Sequence, residues 1–489
     1  MTEHIPILIV AIPMVTAICL PLVARLSPGA ARAVDISGYI AVCVITVMAL
    51  VRVLDTGPWH YELGGWPPPW GIEYVVDPLS GGMAVLVAFM GLLVSVYADS
   101  QRRQLPAWRS GVYDSLFMLL FSGLLGIILA GDLFNLYVFL EISSLAAYGL
   151  LSAGGNRAIV ATFRYLLLGT IAATFYLLGV GYLYALTGTL NMADVTSQLP
   201  AIVGTAPFGV AVTLIVLGLA IKMAVFPLHA WQPDAYAYAP PPVTGFIAAV
   251  MSKVSAYALL RVLFFVLGAE GAAGAVIDIM GWVAVVGAVA ASVMAVAQTD
   301  VRRMLAYSSV SQMGYILIGF SISNAHALTG ALLLIVNHAV MKGCLFLAMG
   351  SVVWRTRAVT VDELAGMSRR LPWTMAAFTV AAISMVGFPP TAGFFSKWYL
   401  LQGAVEADAW VFAVALIVSS LLSAFYFLRA IERIYFAPVQ DTHVRRARVF
   451  EVPVGMLVPV VVLGITVLLL GLFNRAIVTG VIEAALPEL

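Results

Sequence analysis

The sequence predicts an all-α, polytopic membrane protein with about fourteen transmembrane helices. Three observations predict this fold: 62% of the 489 residues are hydrophobic, only 10% are charged, and the mean hydropathy is +1.02. A water-soluble chain of this length needs far more charge to cover its surface. Apolar runs of ~20 residues, the length of a membrane span, recur along the whole chain. Only helices satisfy their own backbone hydrogen bonds in lipid at that length.

Fourteen apolar runs define the predicted spans, which we number 1 to 14 from the N-terminus. They are 4–24, 34–53, 78–98, 112–130, 133–152, 160–186, 208–228, 242–267, 275–297, 304–322, 327–353, 373–402, 410–436 and 452–474. Gly131 and Asp132 barely separate span 5 from span 4. Transmembrane β-strands would be shorter and would alternate apolar with polar residues, a pattern that these runs lack. Because no Lys or Arg precedes span 1, we expect a retained helix there instead of a cleaved signal peptide.

Charge and cysteine content exclude several classes of function. The net charge is +1, so there is no basic surface to recruit nucleic acid. The three cysteines, Cys19, Cys43 and Cys344, lie in apolar runs without paired spacing, which fits neither a metal site nor a disulfide framework. We therefore expect no metal and no cofactor in this chain.

The arginines predict how the chain crosses the membrane. Connections after odd-numbered spans hold 18 arginines, whereas the even connections and the C-terminus hold three, Arg52, Arg261 and Arg475. Arginine-rich connections stay in the cytoplasm. The count therefore predicts a multi-pass membrane protein of fourteen spans with both termini outside.

Lysine is confined to the predicted spans: Lys222, Lys253, Lys342 and Lys397 are the only lysines in the chain. An ammonium at the bilayer centre costs ~3 kcal/mol or more. A lysine can respond by releasing its proton, whereas an arginine effectively cannot. This distribution favours a proton-transfer path; the alternative is that the lysines snorkel or pair to hold helices together.

Glu141 is the one acid deep within a predicted span. An unpaired buried glutamate would keep its proton, but beside a lysine it would ionise and form a pair that can open and close. The sequence leaves open which lysine is nearest. Asp132, at the end of span 5, is instead predicted to cap that helix.

Prolines interrupt two of the lysine-bearing spans. Pro227 lies five residues after Lys222, and Pro389 and Pro390 lie shortly before Lys397. A proline has no N–H, so these residues are expected to free the carbonyl groups of Met223, Met385 and Val386. Broken helices that line polar cavities are typical of transporters, although an ordinary proline kink is the alternative.

His338 and Lys342 are four residues apart and therefore share one helix face in span 11. Because histidine titrates near neutrality, this face could pass protons through water; hydrogen-bonded scaffolding is the alternative. The nearby run 307–312 adds hydroxyls and an amide, which water or neighbouring helices could use.

Five stretches resemble the antiporter-like membrane subunits. They are 131–152 (GDLFNLYVFLEISSLAAYGLLS), 222–236 (KMAVFPLHAWQPDAY), 306–315 (AYSSVSQMGY), 337–343 (NHAVMKG) and 387–397 (GFPPTAGFFSK). This superfamily includes the large membrane subunits of respiratory complex I, of membrane-bound hydrogenases and of Mrp multisubunit cation/proton antiporters. The resemblance spans essentially the whole chain. Chain length and the residues at 132–136 are most similar to the D-type subunit of the Mrp antiporters.

The resemblance implies a specific internal organisation. Helices 1–3 (1–110) precede two inverted five-helix repeats, helices 4–8 (111–270) and 9–13 (271–438), and helix 14 (439–489) ends the chain. Helices 7 and 12 would be discontinuous. It further implies a proton relay whose members are, in order, Glu141, Lys222, Lys253, His338, Lys342 and Lys397. Where relatives often have a histidine, this chain has Tyr236, which puts an ionisable role there in doubt.

Three functions follow as hypotheses. The leading one is a proton-translocating subunit of a Mrp-type Na+/H+ antiporter, which would be a secondary transporter subunit and not itself an enzyme. It would work with other membrane subunits in the lipid of the prokaryotic inner membrane. The second is the corresponding subunit of a redox-driven complex, either complex I or a hydrogenase. The third is a non-conducting membrane scaffold. Whether Na+ passes through this subunit stays open.

Overall fold

The computed structural model describes residues 2–102, 105–268, 271–438 and 451–486. Within these ranges, 13 helices are long and apolar enough to cross a membrane. Span 12 is divided between two shorter helices, Pro372–Val386 and Ala392–Glu406. The predicted all-α membrane fold is thereby confirmed. Four of the arginines counted in the odd connections, Arg103, Arg445, Arg446 and Arg448, lie outside the described residues.

The remaining spans agree with prediction to within a few residues at most ends. Their helices are Ile5–Leu26, Pro28–Thr56, Pro78–Arg102, Ala107–Leu129, Leu133–Ser152, Asn156–Thr187, Ala206–Met223, Pro241–Val266, Gly271–Val296, Val301–Ile322, Ala325–Thr356, Trp410–Tyr435 and Val454–Leu472. Polar caps fix several starts. Asp132 accepts a hydrogen bond from the backbone N–H of Asn135 at 2.7 Å, as predicted for a cap of span 5.

Span 7 is broken earlier than its proline predicts. The helix ends at Met223 because Ala224 adopts a left-handed conformation (φ 60°), and a second short helix follows at Gln232–Tyr238. The predicted end of span 7 at residue 228 was therefore wrong. Span 12 breaks where expected: Gly387 has φ 96°, a conformation that favours glycine, and the second helix starts at Ala392. The predicted discontinuity of helices 7 and 12 is present in both.

Connections after even-numbered spans meet on one face of the helix bundle. Strands β1 (Trp59–Glu62) and β2 (Glu73–Val76) form an antiparallel hairpin there, with Trp59 opposite Val76. Isolated bridges join Tyr74 to Ala130 and Asp132 to Asn191, which links the connections after spans 2, 4 and 6. We call this the hairpin face. The hairpin and the short helix Met192–Ile202 beside it were not predicted, because neither contains a long apolar run.

Connections after odd-numbered spans meet on the other face, which we call the arginine face. Arg303 pairs with Asp234 at 2.7 Å, and Arg433 pairs with Asp362 at 3.3 Å. A backbone bridge joins Asp300 to Thr360. This separation supports the predicted number of spans. Which face looks toward the cytoplasm, and the division into inverted repeats, remain predictions.

The lysine-bearing spans 8 and 11 lie in the interior of the bundle. The most apolar window of Ala325–Thr356 is 94% buried, and those of Pro241–Val266 and Val301–Ile322 are each 83% buried. By contrast, the corresponding windows of spans 6 and 13 are only 39% and 44% buried. The fold therefore places the central part of the predicted relay where neither lipid nor bulk water reaches it.

Candidate functional site

The site begins with an ion pair between Glu141 and Lys222. The Lys222 Nζ lies 3.4 Å from Glu141 Oε1 and donates a hydrogen bond to Ser144 Oγ at 2.6 Å. Ser144 is one helical turn from Glu141, so both partners are on one face of span 5. The Lys222 side chain is 3% exposed, whereas that of Glu141 is 30% exposed. The structure thus identifies Lys222 as the lysine paired with Glu141.

The break in span 7 positions Lys222. Lys222 is the penultimate residue of its helix, and the indole of Trp231 donates to the carbonyl of Ile221 at 3.0 Å. The same carbonyl also accepts the backbone N–H of Ala224 at 3.0 Å, so two donors hold this helix end. We expected Pro227 to free the carbonyl of Met223; instead the helix has already ended, and Ile221 supplies the carbonyl that a side chain uses.

Lys253 lies next along the chain and is fully buried. Its Nζ donates to the carbonyl of Ala248 at 2.6 Å and lies 3.4 Å from Ser252 Oγ. Ala248 belongs to a π-helical turn, Ile247–Met251, a rare geometry found often at functional sites. The hydroxyl of Tyr236, on the second helix of span 7, lies beside Ser252. The broken helix therefore reaches the surroundings of Lys253.

His338 and Lys342 follow in the interior of span 11. Lys342 Nζ donates to the carbonyl of Leu305 at 2.8 Å and to Ser308 Oγ, so the predicted polar run of span 10 does contact a lysine. Both ring nitrogens of the fully buried His338 lack a hydrogen-bond partner among the described residues. Lys253, Lys342 and Lys397 all lie within electrostatic reach of that ring. Buried polar groups are usually bonded to protein or to ordered water, so both ring nitrogens could bond water.

Lys397 lies at the break in span 12. Its Nζ donates to the carbonyls of Met385 and Val386 at 2.8 and 2.9 Å, the two groups that the prolines were predicted to free. It also donates to Ser420 Oγ at 2.9 Å and lies 5.3 Å from the ring centre of Tyr315.

A cavity of about 160 Å³ adjoins Lys397. Trp398 and Ile417, both of which line it, are each 48% exposed, so the cavity opens at the side of the bundle.

The atoms that bind each lysine separate Lys222, which pairs with a carboxylate, from the other three lysines. Among the described residues, Lys253, Lys342 and Lys397 form no ion pair with a carboxylate. Carbonyl and hydroxyl oxygens alone hold these three amines. Charged side chains inside a membrane pair with one another or with backbone carbonyls, and these three lysines use the second kind of partner.

Two buried acids were not predicted. Arg102 donates to Asp35 Oδ2 at 2.7 Å and to Asp114 Oδ1 at 2.9 Å. Asp35 is 1% exposed and Asp114 5%, so both are more buried than Glu141, which is therefore not the one acid inside the spans. Each lies near the start of its span, where a charge is usually assigned to the interface. The compensating arginine comes from a third helix, which no local signal reveals.

Other members of the site were also missed or misplaced. Ser144 and Ser420 bond lysines directly; the one-turn spacing from Glu141 was the only signal available for Ser144. Arg261 was counted in an even connection, but it lies inside the helix of span 8, in the π-helical segment Arg261–Val266. Its side chain is 12% exposed.

The chain is similar to known membrane proteins along its whole length. Residues 130–423 match the family described as NADH:quinone oxidoreductase/Mrp antiporter, transmembrane. NADH-quinone oxidoreductase subunit N of Desulforudis audaxviator is 52% identical over 497 aligned positions, covering 100% of this chain and 99% of the relative. The D subunit of the Na+/H+ antiporter of Bacillus subtilis is 29% identical, covering 98% and 96%. Among solved structures, a chain of the membrane-bound sulfane sulfur reductase, an archaeal respiratory membrane complex, matches with a TM-score of 0.91 at 28% identity, covering 98% and 97%.

Proposed function

Because the chain belongs to the NADH:quinone oxidoreductase/Mrp antiporter family of transmembrane subunits, we propose that it translocates protons within a redox-driven membrane complex of the NADH-quinone oxidoreductase type. The relatives support this choice: 52% identity to a subunit N stands against 29% to an antiporter D subunit. The leading hypothesis from the sequence, a Mrp-type Na+/H+ antiporter subunit, becomes the second candidate, supported by a match that covers 98% of the chain.

One observation carries the proton-transfer role. The only four lysines of the chain follow one another through the interior, and in the part of the chain that the structure describes, three of them are held by neutral oxygens alone. A hydrogen bond to a charged group contributes about 1.5–3 kcal/mol, which holds an ammonium in place without a permanent counter-charge. Such an amine can accept and release a proton without stranding a buried carboxylate. A purely structural scaffold has no need of this property.

The order of contacts suggests the sequence of steps. Opening of the Glu141–Lys222 pair lets the proton of Lys222 pass toward Lys253, past Tyr236 and Ser252. The helix that carries Lys222 packs against the segment that carries Lys253.

Water at His338 would carry the proton onward. From there it reaches Lys342 and then Lys397, both of which lie within electrostatic reach of the imidazole. The transferred proton leaves at the Lys397 end, and uptake of a new proton by Lys222 closes the Glu141 pair again and resets the relay.

In this proposal, partner subunits contact the chain at the two ends of the relay, near Glu141 and near Lys397. The side chain of Glu141 is 30% exposed at one end, and the cavity at Lys397 opens sideways at the other. Exposed apolar residues near these ends, such as Leu145 (60%) and Leu421 (66%), suit contact with membrane neighbours or lipid. In this proposal the redox centres belong to other subunits, and the complex lies in the prokaryotic inner membrane.

The test uses the whole complex. The chain is tagged, the assembly is purified and its subunits are identified. It is then reconstituted into liposomes, where electron transfer and proton uptake are measured separately. We expect Lys253→Met and Lys253→Arg each to reduce proton uptake per electron about tenfold or more, since neither replacement can relay a proton. The exposed Arg475→Gln is the matched control and should behave as wild type.

Each outcome decides between the candidates. An assembly without electron transfer that exchanges Na+ for H+ would establish the antiporter assignment. Loss of assembly in both Lys253 variants would support the scaffold hypothesis. Unchanged proton uptake in both variants, with the complex intact, would overturn the relay.

A further inference from the structure

Span 8 continues beyond Lys253 with two polar residues at one-turn spacing, Tyr257 and Arg261. Residues four apart share a helix face. At 1.5 Å per residue they lie ~6 and ~12 Å farther along the helix axis. They lead toward the hairpin face, so this helix offers a second direction in which a proton at Lys253 could leave.

Arg261 is held rigidly at that end. Its guanidinium pairs with Asp77 at 2.6 Å and donates from Nη2 and Nε to the Tyr257 hydroxyl at 3.1 and 3.3 Å. The hydroxyl in turn donates to the carbonyl of Ile128 at 2.6 Å. The ring of Phe265 stacks on the guanidinium at 4.6 Å. Side-chain exposure is only 12% for Arg261 and 13% for Asp77.

A cavity of about 170 Å³, with the polar groups of His60, Glu73, Tyr257 and Arg261 in its mainly apolar lining, lies beside the guanidinium. His60, Glu73 and Met192, from the connections of the hairpin face, line one side of it. Tyr257 and Arg261 line it from the helix that carries Lys253. The two residues therefore stand between a cavity at the hairpin face and the buried amine of the relay.

The chemistry of arginine suits a barrier and not a carrier. A guanidinium stays charged under all physiological conditions, so it neither accepts nor passes a proton. A fixed positive charge in a narrow polar passage repels protons and other cations, as it does in water channels. A lysine in the same place could release its proton and become a step of the path.

We propose that Arg261, anchored by Asp77 and Tyr257, is a proton barrier that closes the hairpin-face end of span 8. A proton on Lys253 is thereby directed to His338 and Lys342 instead of escaping into the cavity. Arg261 determines the direction of proton transfer without itself binding the proton, so it is a positioning residue. This inference rests on the proposed relay and adds to it the element that keeps the relay from leaking.

The test measures passive proton conductance of the reconstituted complex, without redox substrate, under a potassium diffusion potential. Arg261→Gln should raise conductance about tenfold or more, because an electrostatic barrier of this kind changes local cation occupancy by that order. Adding Lys253→Met to Arg261→Gln should return the conductance to the wild-type value, since the leak starts at Lys253. Arg52→Gln, an exposed arginine of the hairpin face that stacks on Trp59, is the matched control without effect.

A purely structural ion pair predicts a different pattern. In that case Arg261→Gln would lower the yield of complex without raising conductance, which overturns the proposal. A leak that persists when Lys253 is also replaced overturns it as well. If Arg261→Gln does not assemble, Asp77→Asn keeps the arginine but removes its anchor. A smaller leak that depends on Lys253 supports the barrier, and an unchanged conductance refutes it.

Failure of the barrier remains distinguishable from failure of the relay. Redox-driven uptake that survives Lys253→Met refutes the relay, whereas the barrier is judged by passive conductance alone.

Discussion

Replacing Glu141 by glutamine keeps the shape of the side chain but removes the one carboxylate that, among the described residues, pairs with a lysine of the proposed relay. Two unit charges 3.4 Å apart, the distance from Lys222 Nζ to Glu141 Oε1, attract one another by ~5 kcal/mol at an effective dielectric constant of 20. Solvent screening at a side chain that is 30% exposed reduces that figure. If about one third of this attraction, ~1.6 kcal/mol, no longer stabilises the transition state of proton transfer, the rate of proton transfer falls about 15-fold.

The assay compares proton uptake with electron transfer in the same liposomes. Glu141→Gln should lower the number of protons taken up per electron, with the electron-transfer rate reduced only where the two are tightly coupled. Glu141→Asp keeps the charge but moves it away from Lys222, so it should fall between wild type and the amide. Glu406→Gln is the control, because that acid is 51% exposed and pairs with His326 instead of with a lysine of the relay.

A normal ratio of protons to electrons in Glu141→Gln, with the complex intact, would refute the reasoning. It would mean that the ion pair of Lys222 serves assembly and that protons enter the relay elsewhere.

Two further predictions concern residues outside that pair. Ser420→Ala removes the hydroxyl that accepts from Lys397 at 2.9 Å; a hydrogen bond to a charged group contributes ~1.5–3 kcal/mol, so proton uptake should fall about tenfold with assembly retained. On the arginine face, the N–H groups of Thr360 and Val359 hold the pKa of Glu363 below its ordinary value. The stability this carboxylate contributes is therefore present above its unfolded pKa and is lost as pH falls through its folded pKa. Glu363→Gln should weaken hydrogen-exchange protection of residues 359–364 about fivefold near neutral pH, and the difference should shrink as the pH falls through the lowered pKa of Glu363.

Matched variants separate these effects from general damage. Ser423→Ala removes a hydroxyl that donates to a backbone carbonyl of its own helix and contacts no lysine among the described residues, so proton uptake should not change. Glu432→Gln alters an acid of the helix Trp410–Tyr435 and should leave protection of 359–364 unaltered at every pH. Equal behaviour of the paired variants would contradict the roles given to Ser420 and Glu363.

Local signals in the sequence were enough for the spans and for one of the two breaks. Length and hydropathy located thirteen helices, and the two prolines of span 12 predicted that the carbonyls of Met385 and Val386 would be free; the structure adds that Lys397 bonds both. The break in span 7 came earlier than Pro227 because Ala224 turns left-handed and the indole of Trp231 caps the helix end. Trp231 lies beyond the break, and its distance along the sequence from Ile221 does not predict that the two residues form a hydrogen bond.

Tertiary partners explain the remaining errors. Asp35 and Asp114 are tolerated inside the bundle because Arg102 reaches them from another helix. Arg261 was assigned to a connection because counting arginines treats any charge near a span end as exposed, whereas Asp77 makes its burial possible. Such compensation depends on which helices become neighbours, and hydropathy carries no information about neighbours.

The two ends of the lysine series are not sealed by the chain itself. One terminates in a glutamate that a neighbour could touch, and the other in a pocket that faces sideways. If the lysine series conducts protons, a second chain of the same kind placed against either end would lengthen the path. The number of protons moved per cycle would then increase with the number of such subunits, while the chemistry inside each subunit stayed the same.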